Sequence, residues 1–319
     1  MKILLAIFAL LSGAPSVLAQ LKQDSAQLLK TAEQQRQIFS DLSTPLELHV
    51  DFVAQFNVPV PGHLSLRWAA ENRWWLKITV GDFEQIRIRN GEWTYTARNA
   101  PFTPIRVQQL VELIGITSDT TYIGKKSKQR TENGISLTCV QAEPIGFKHE
   151  QREVCLDAAS NDILRVTLPG QGESTDREFY QDYYVFEGHR YPRKMVYEEH
   201  ASRVIKADVV SLSAAPFDER LLVPPPGAIE RRTCKGMTHP VPIKKPEAPF
   251  LGVGTASDRM TLTILTDGSV ADVQLIARGG QKMDEAYMKV FKQWKFRPAM
   301  CGTEPVVADI EIETNVRSY

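Results

Sequence analysis

Seven apolar residues alternate with mostly polar ones from Leu46 to Val58: Leu46, Leu48, Val50, Phe52, Ala54, Phe56 and Val58. A period of two puts all seven side chains on one face of an extended strand, and such a strand needs neighbours and a cover. It is expected to stop at the turn signal Pro59-Val60-Pro61-Gly62. The neighbours follow directly. "HLSLRW", "RWWLKITV", "EQIRIR" and "EWTYTAR" precede residue 100; "GISLTCVQA", "REVCLDA", "DILRVTLP", "EFYQDYYVF", "YPRKMVYEEH" and "RVIKADVVSLSA" come after it. With the first run, the strand and hairpin rules count about eleven strands between residues 24 and 213. So many antiparallel strands, each with one apolar face, predict a sheet that curls to bury that face.

Two helical patterns break the series. Residues 24–42 place Leu28, Ala32, Ile38, Phe39 and Leu42 on a helical stripe. "PIRVQQLVELIG" starts at Pro104, carries Val107, Leu110, Val111 and Ile114 on one face, and stops at Gly115. These helices are the natural plug for the open side of a half-barrel. An apolar cavity would remain, for a lipid or for side chains.

The composition then changes. Prolines at 224, 225, 226, 240, 242, 246 and 249 mark a semi-rigid boundary. The 319 residues therefore divide into a curved-sheet domain (20–225), a linker (226–257) and a small C-terminal domain (258–319). In the last, "RMTLTILTDGSVADVQLIA" reads as a hairpin with its turn at Asp267-Gly268. Met283, Ala286, Tyr287, Val290, Phe291 and Trp294 form one apolar helical face. Pro298 forces the chain out of that helix, and Trp294 and Phe296 can pin the exit to the sheet. "PVVADIEIET" is the last strand, so the order is strand, strand, helix, strand. The fold class is α+β.

The first nineteen residues read as a cleaved secretory signal, a lysine followed by an apolar run too short for a bilayer. A retained segment would instead anchor the chain in the inner membrane. Four cysteines fit an oxidising compartment, and of three connectivities the local pairs Cys139–Cys155 and Cys234–Cys301 are the most economical. A formal net charge of zero argues against nucleic acid as a partner. No GxSxG, HExxH or P-loop pattern occurs, and the six histidines are scattered singly along the chain. His49 falls on the polar side of the first strand. No catalytic set, cofactor or metal ion is expected.

Two resemblances complete the reading. The N-terminal helix, the long alternating strand, "RW" and "RWW" on the next strands, the mid-chain helix and the second meander resemble the half-barrel of LolA-type lipoprotein carriers. In that family an arginine and aromatic residues inside the cavity handle acyl chains. The resemblance puts Arg67, Trp68, Arg73, Trp74 and Trp75 forward for that role. "DGSVADVQLI", the amphipathic helix and "WKFRPA" resemble the C-terminal domain of TonB-type energy transducers over residues 258–314. That domain binds extended segments of outer-membrane receptors by adding a strand to its sheet. The corresponding edge here would be Val306, Ala308, Ile310, Ile312 and Thr314. A Tyr-Pro entry motif is missing, and the proline stretch from Pro224 to Pro249, about 25 residues, reaches at most roughly 90 Å, which speaks against harvesting the inner-membrane proton gradient. The resemblances imply a non-enzymatic periplasmic envelope protein, engaged in transport, that binds a partner protein segment and holds a hydrophobic ligand. The alternative is a lipid or lipoprotein carrier that uses the small domain for targeting.

Overall fold

The computed structural model describes residues 17–39, 44–100, 103–116, 122–144, 151–169, 175–199, 201–234, 236–247, 255–277 and 281–317. Helix α1 (Val17–Arg36) precedes β1 (Leu46–Gln55), β2 (Pro59–Ala70), β3 (Arg73–Val80), β4 (Phe83–Asn90) and β5 (Trp93–Arg98). After α2 (Ile105–Ile114) come β6 (Tyr122–Glu132), β7 (Ile135–Pro144), β8 (Arg152–Asp157) and β9 (Ile163–Pro169). The run closes with β10 (Thr175–Phe186), β11 (His189–Glu199) and β12 (Ser202–Ala214). These twelve strands and β13 (Ile229–Arg232) form one antiparallel sheet in the order β13-β5-β4-β3-β2-β1-β12-β11-β10-β9-β8-β7-β6. First and last strands of the meander meet in the middle, where β1 pairs with β12. The sheet is open and curved.

Leu46, Leu48, Val50, Phe52 and Ala54 are all buried, as their period of two requires. The alternation outruns the strand, however. Phe56 and Val58 are 39% and 62% exposed, because Gln55 pairs with Pro59 and closes a tight turn over 56–58. The "PVPG" segment thus lies inside β2 and not in the turn. Helix α1 packs on β6 and β11, and α2 on β11 and β12. Both lie over the buried face, here called inner. Ile38 and Phe39 join that core beyond the end of α1; Leu42 and the predicted signal residues before Val17 lie outside the described residues. Among the described residues no helix is long and apolar enough to cross a membrane.

The Pro-rich segment adds a strand to each unit. β13 extends the large sheet, while β14 (Val241–Lys244) pairs with β17 (Lys295–Arg297). The small unit is built on a sheet in the order β16 (Val270–Ala277), β15 (Thr255–Ile264), β20 (Ala308–Arg317), with α3 (Gln281–Phe291) between β16 and β17. A short hairpin of β18 (Ala299–Cys301) and β19 (Glu304–Val306) also precedes β20. Tyr287 and Phe291 of α3 pack with Met260, Leu262 and Ile264. Trp294 lies 4.7 Å from Phe291 between ring centroids and donates its indole N–H to the Pro246 carbonyl at 3.1 Å. Phe296 N donates to the Gly268 carbonyl at 2.9 Å. The helix exit and the Asp-Gly turn, far apart in sequence, are one structural joint.

The threonine-rich face of the small sheet meets the inner face of the large one. Arg98 of β5 pairs with Asp272, and Arg231 of β13 pairs with Asp309 at 3.1 Å. Thr263, between the two acids, donates to Asp309 at 2.7 Å. Arg87 shares the inner face with its register partner Leu76; burial, and next Arg231, hold its guanidinium below its ordinary range, opposed by Asp309. Disulfide Cys234–Cys301 crosses the same junction, and Cys139–Cys155 joins directly opposed residues of β7 and β8.

Candidate functional site

Under α1 the inner face is not completely filled. A cavity of about 400 Å³ lies between the end of α1, the end of α2 and strands β2, β6, β8, β9 and β10. That is within the range of about 300–1,000 Å³ common for small-molecule sites. Its apolar wall includes Phe39, Trp68, Val166 and Leu168, with the Phe39 and Trp68 rings 5.2 Å apart. Its polar wall carries Glu33, Glu71, Glu112 and Glu178 beside Arg36 and Arg152. The Arg36 guanidinium stands 4.0 Å over the Tyr180 ring and donates to the Leu113 carbonyl at 3.0 Å. Tyr180 donates to Glu178 at 2.7 Å, and burial raises the Tyr180 hydroxyl well above its usual range. Arg152 lies 5.0 Å over Tyr122, and its Nε is buried without a hydrogen-bond partner. Burial pushes the Glu33 carboxyl up to about 7, partly offset by Arg36.

Of the residues put forward from sequence, only Trp68 lines this cavity. Trp74 is buried beside it on the inner face, with ring centroids 6.3 Å apart, and donates to the Glu71 carbonyl. Arg67 and Trp75 pair with each other in register, one step off, and therefore point to the outer face. Arg67 pairs with Glu47 there, and Arg73 pairs with Glu219. Adjacent strand residues cannot share a face, so Arg67-Trp68 and Trp74-Trp75 could never all have entered one cavity. The cavity's arginines are Arg36 and Arg152. No spacing singles them out, because one lies at a helix end and the other opens a strand on the far half of the sheet.

The predicted partner edge needs one correction. Val306 belongs to β19, pairs with Ala299 and is buried, so it is not on the last long strand. Val307 separates the two strands. Ala308, Ile310 and Ile312 do lie on β20, with Thr314 opposite Asp258. The side chains of Ile310 and Ile312 pack against the core of the small unit. What β20 presents is backbone: among the described strands it pairs with β15 alone.

The described residues include one group of three ligand-type side chains close enough to share a metal ion, Cys139, Glu153 and Cys155, but its two sulfurs are bonded to each other.

The described residues form an open antiparallel sheet, with α1 and α2 packed on its inner face, and a separate three-stranded sheet of β16, β15 and β20 with a core of its own. Residues 258–316 match the model of the family described as Gram-negative bacterial TonB protein C-terminal. No curated protein sequence matches the chain. Solved structures similar to this chain include a LolA superfamily protein from Nitrosomonas europaea, 11% identical, with a TM-score of 0.45 over 62% of this chain and 97% of that one. A DUF1329 family protein from Desulfovibrio piger is 10% identical, with a TM-score of 0.45 over 64% and 97%. The Pseudomonas aeruginosa MucA/MucB complex is 14% identical, with a TM-score of 0.29 over 87% and 100%.

Proposed function

We propose that this chain is a periplasmic envelope protein, exported by the segment Met1–Ala19, whose small unit captures an extended segment of a partner protein along β20. The observation that carries the reading is a ten-residue strand with one neighbour among the described strands, in a segment that matches the TonB C-terminal family. Such an edge offers a row of main-chain donors and acceptors to an incoming strand. A photoreactive amino acid at the exposed position Glu311 should form a protein adduct in the envelope, while the same group at Gln293, exposed beyond α3, should not. Equal labelling at both positions, or none at either, would end this reading.

A second reading makes the large unit a carrier. The cavity supports it: its apolar wall suits an acyl chain, and the buried Arg152 Nε with no acceptor offers a donor to the head group. Native mass spectrometry should then show an added mass that disappears on denaturation. Glu33 makes the site pH-dependent. It keeps its proton in the fold to about pH 7, whereas an unfolded chain releases it near 4.5. The folded state therefore binds more protons between those values, and this group's contribution to stability falls as pH rises through them. Glu33→Gln should be more stable than the wild type at pH 8 and equal to it at pH 4, as read by thermal unfolding. An equal gain at both pH values would remove Glu33 from the account.

A further inference from the structure

Two of the histidines that stand apart in sequence, His49 and His63, meet in space. On the outer face, Glu47, His49 and Asp51 project from β1, and Arg67, Ser65 and His63 stand opposite them in register. Each imidazole has a carboxylate behind it. His49 Nε2 is bound to Glu47, and His63 Nδ1 lies 2.7 Å from Asp51. The remaining nitrogens, His49 Nδ1 and His63 Nε2, face each other at 3.4 Å. The Ser65 hydroxyl lies 3.1 Å from the first and 3.0 Å from the second.

Tautomer bookkeeping leaves this cluster one donor short among its own side chains. A carboxylate only accepts, so the ring nitrogen facing it carries the proton and the opposite nitrogen carries a lone pair. Two lone pairs then converge, and the single Ser65 proton can satisfy only one of them. A cation between the rings satisfies both. Two imidazole nitrogens on a tetrahedral ion with bonds of about 2.0–2.1 Å are separated by about 3.3 Å. The observed spacing agrees. Carboxylates behind ligating histidines are the usual supporting arrangement, since they fix the tautomer and make the ligand more basic. Both side chains are reachable from solvent, with His49 30% and His63 44% exposed. The surrounding charges include Arg67 on Glu47, Lys77 opposite Ser65 and paired with Glu84, Asp208 opposite Asp51, and Lys194 opposite Asp208.

We propose that His49 and His63 form a two-imidazole site for a divalent transition-metal ion of the zinc, copper or nickel class. Glu47 and Asp51 orient the rings, and Ser65 and solvent take the remaining positions. Asp51, His63 and Ser65 also follow the order of a hydrolase relay. β2, however, is a central strand whose N–H groups are committed to β1 and β3, leaving no amide pair beside Ser65 for an oxyanion.

The test uses the full chain without a polyhistidine tag, titrated with zinc chloride by calorimetry and followed by the histidine ring signals in NMR. One equivalent should bind, moving the signals of His49 and His63 and not those of His189 or His239. His49→Ala and His63→Ala should each weaken binding at least about tenfold, and Asp51→Asn about 10–100-fold. Metal-free thermal unfolding of the three variants, measured alongside, reports whether each still folds. Wild-type binding no tighter than that of the His49→Ala/His63→Ala double variant would overturn the proposal. So would a shared N–H···N proton that persists at saturating zinc, which would fill the gap between the rings with a proton.

Discussion

Gly268→Val is expected to unfold the C-terminal unit while the large sheet stays folded. Gly268 sits in the Asp-Gly turn at a φ of 76°, where a β-branched residue is strained by about 1–3 kcal/mol. A Cβ there would also lie 1.8 Å from the Phe296 carbonyl oxygen, a backbone atom that cannot rotate aside. Relieving that overlap costs about another 1–3 kcal/mol or more and breaks the bond from Phe296 N to the Gly268 carbonyl. A unit of roughly 60 residues has about 3–9 kcal/mol of stability in all, so the two costs together approach the whole. Hydrogen exchange should show loss of protection in β15, β16 and β20 with β1 and β2 unchanged. Retained protection in β15 would show that the turn and the helix exit are not one joint. A partner held at β20 should be lost with this variant.

Gly124→Val should lift α1 off the sheet and destroy the cavity. At Gly124 the helix backbone approaches β6 so closely that a Cβ would lie 2.7 Å from the Ser25 carbonyl oxygen and 3.1 Å from the Ala26 Cα. Beside it the Ser25 hydroxyl donates to Ser127 at 2.9 Å. Both obstacles are backbone, so the helix must move as a body. The cost is about 3 kcal/mol, at the upper end for an overpacked site. Glu33 and Arg36 line the cavity from α1, and Gln37 and Phe39 follow directly after it. The variant should therefore exchange amide protons faster throughout α1 and lose any ligand that copurifies with the wild type. Protection of α1 equal to wild type would mean that the helix tolerates the side chain and that this contact does not set its position.

Much of the fold was legible because local rules and burial agree. The alternation from Leu46 to Ala54 stated which face of β1 is inward. Pro104 and Gly115 bounded α2 at the residues where it starts and stops. The cysteine pairing followed from economy. The Asp-Gly hairpin, the apolar face of α3 and the exit at Pro298 were likewise readable, since each depends on residues a few positions apart.

The candidate sites were not readable in this way, and the reason is register. The period of two says that Arg67 and Trp68 face opposite ways, but not which of them faces α1. Only the seating of the helices chooses the inner face, and that seating brings Arg36 together with Trp68, Arg152 and Tyr180 from distant parts of the chain. The same holds for the outer face. Shifting β2 by one residue against β1 would part His63 from Asp51 and send one imidazole to the core. By itself the sequence determined the long alternating strands and the apolar faces of the helices; it did not show β6, whose residues read as polar, or β13 and β14 in the proline-rich segment, because those strands are held by their neighbours and not by an apolar period. The tertiary structure alone decided which side chains converge, because side-chain convergence depends on strand register and helix placement over long sequence separations, and a local pattern carries neither.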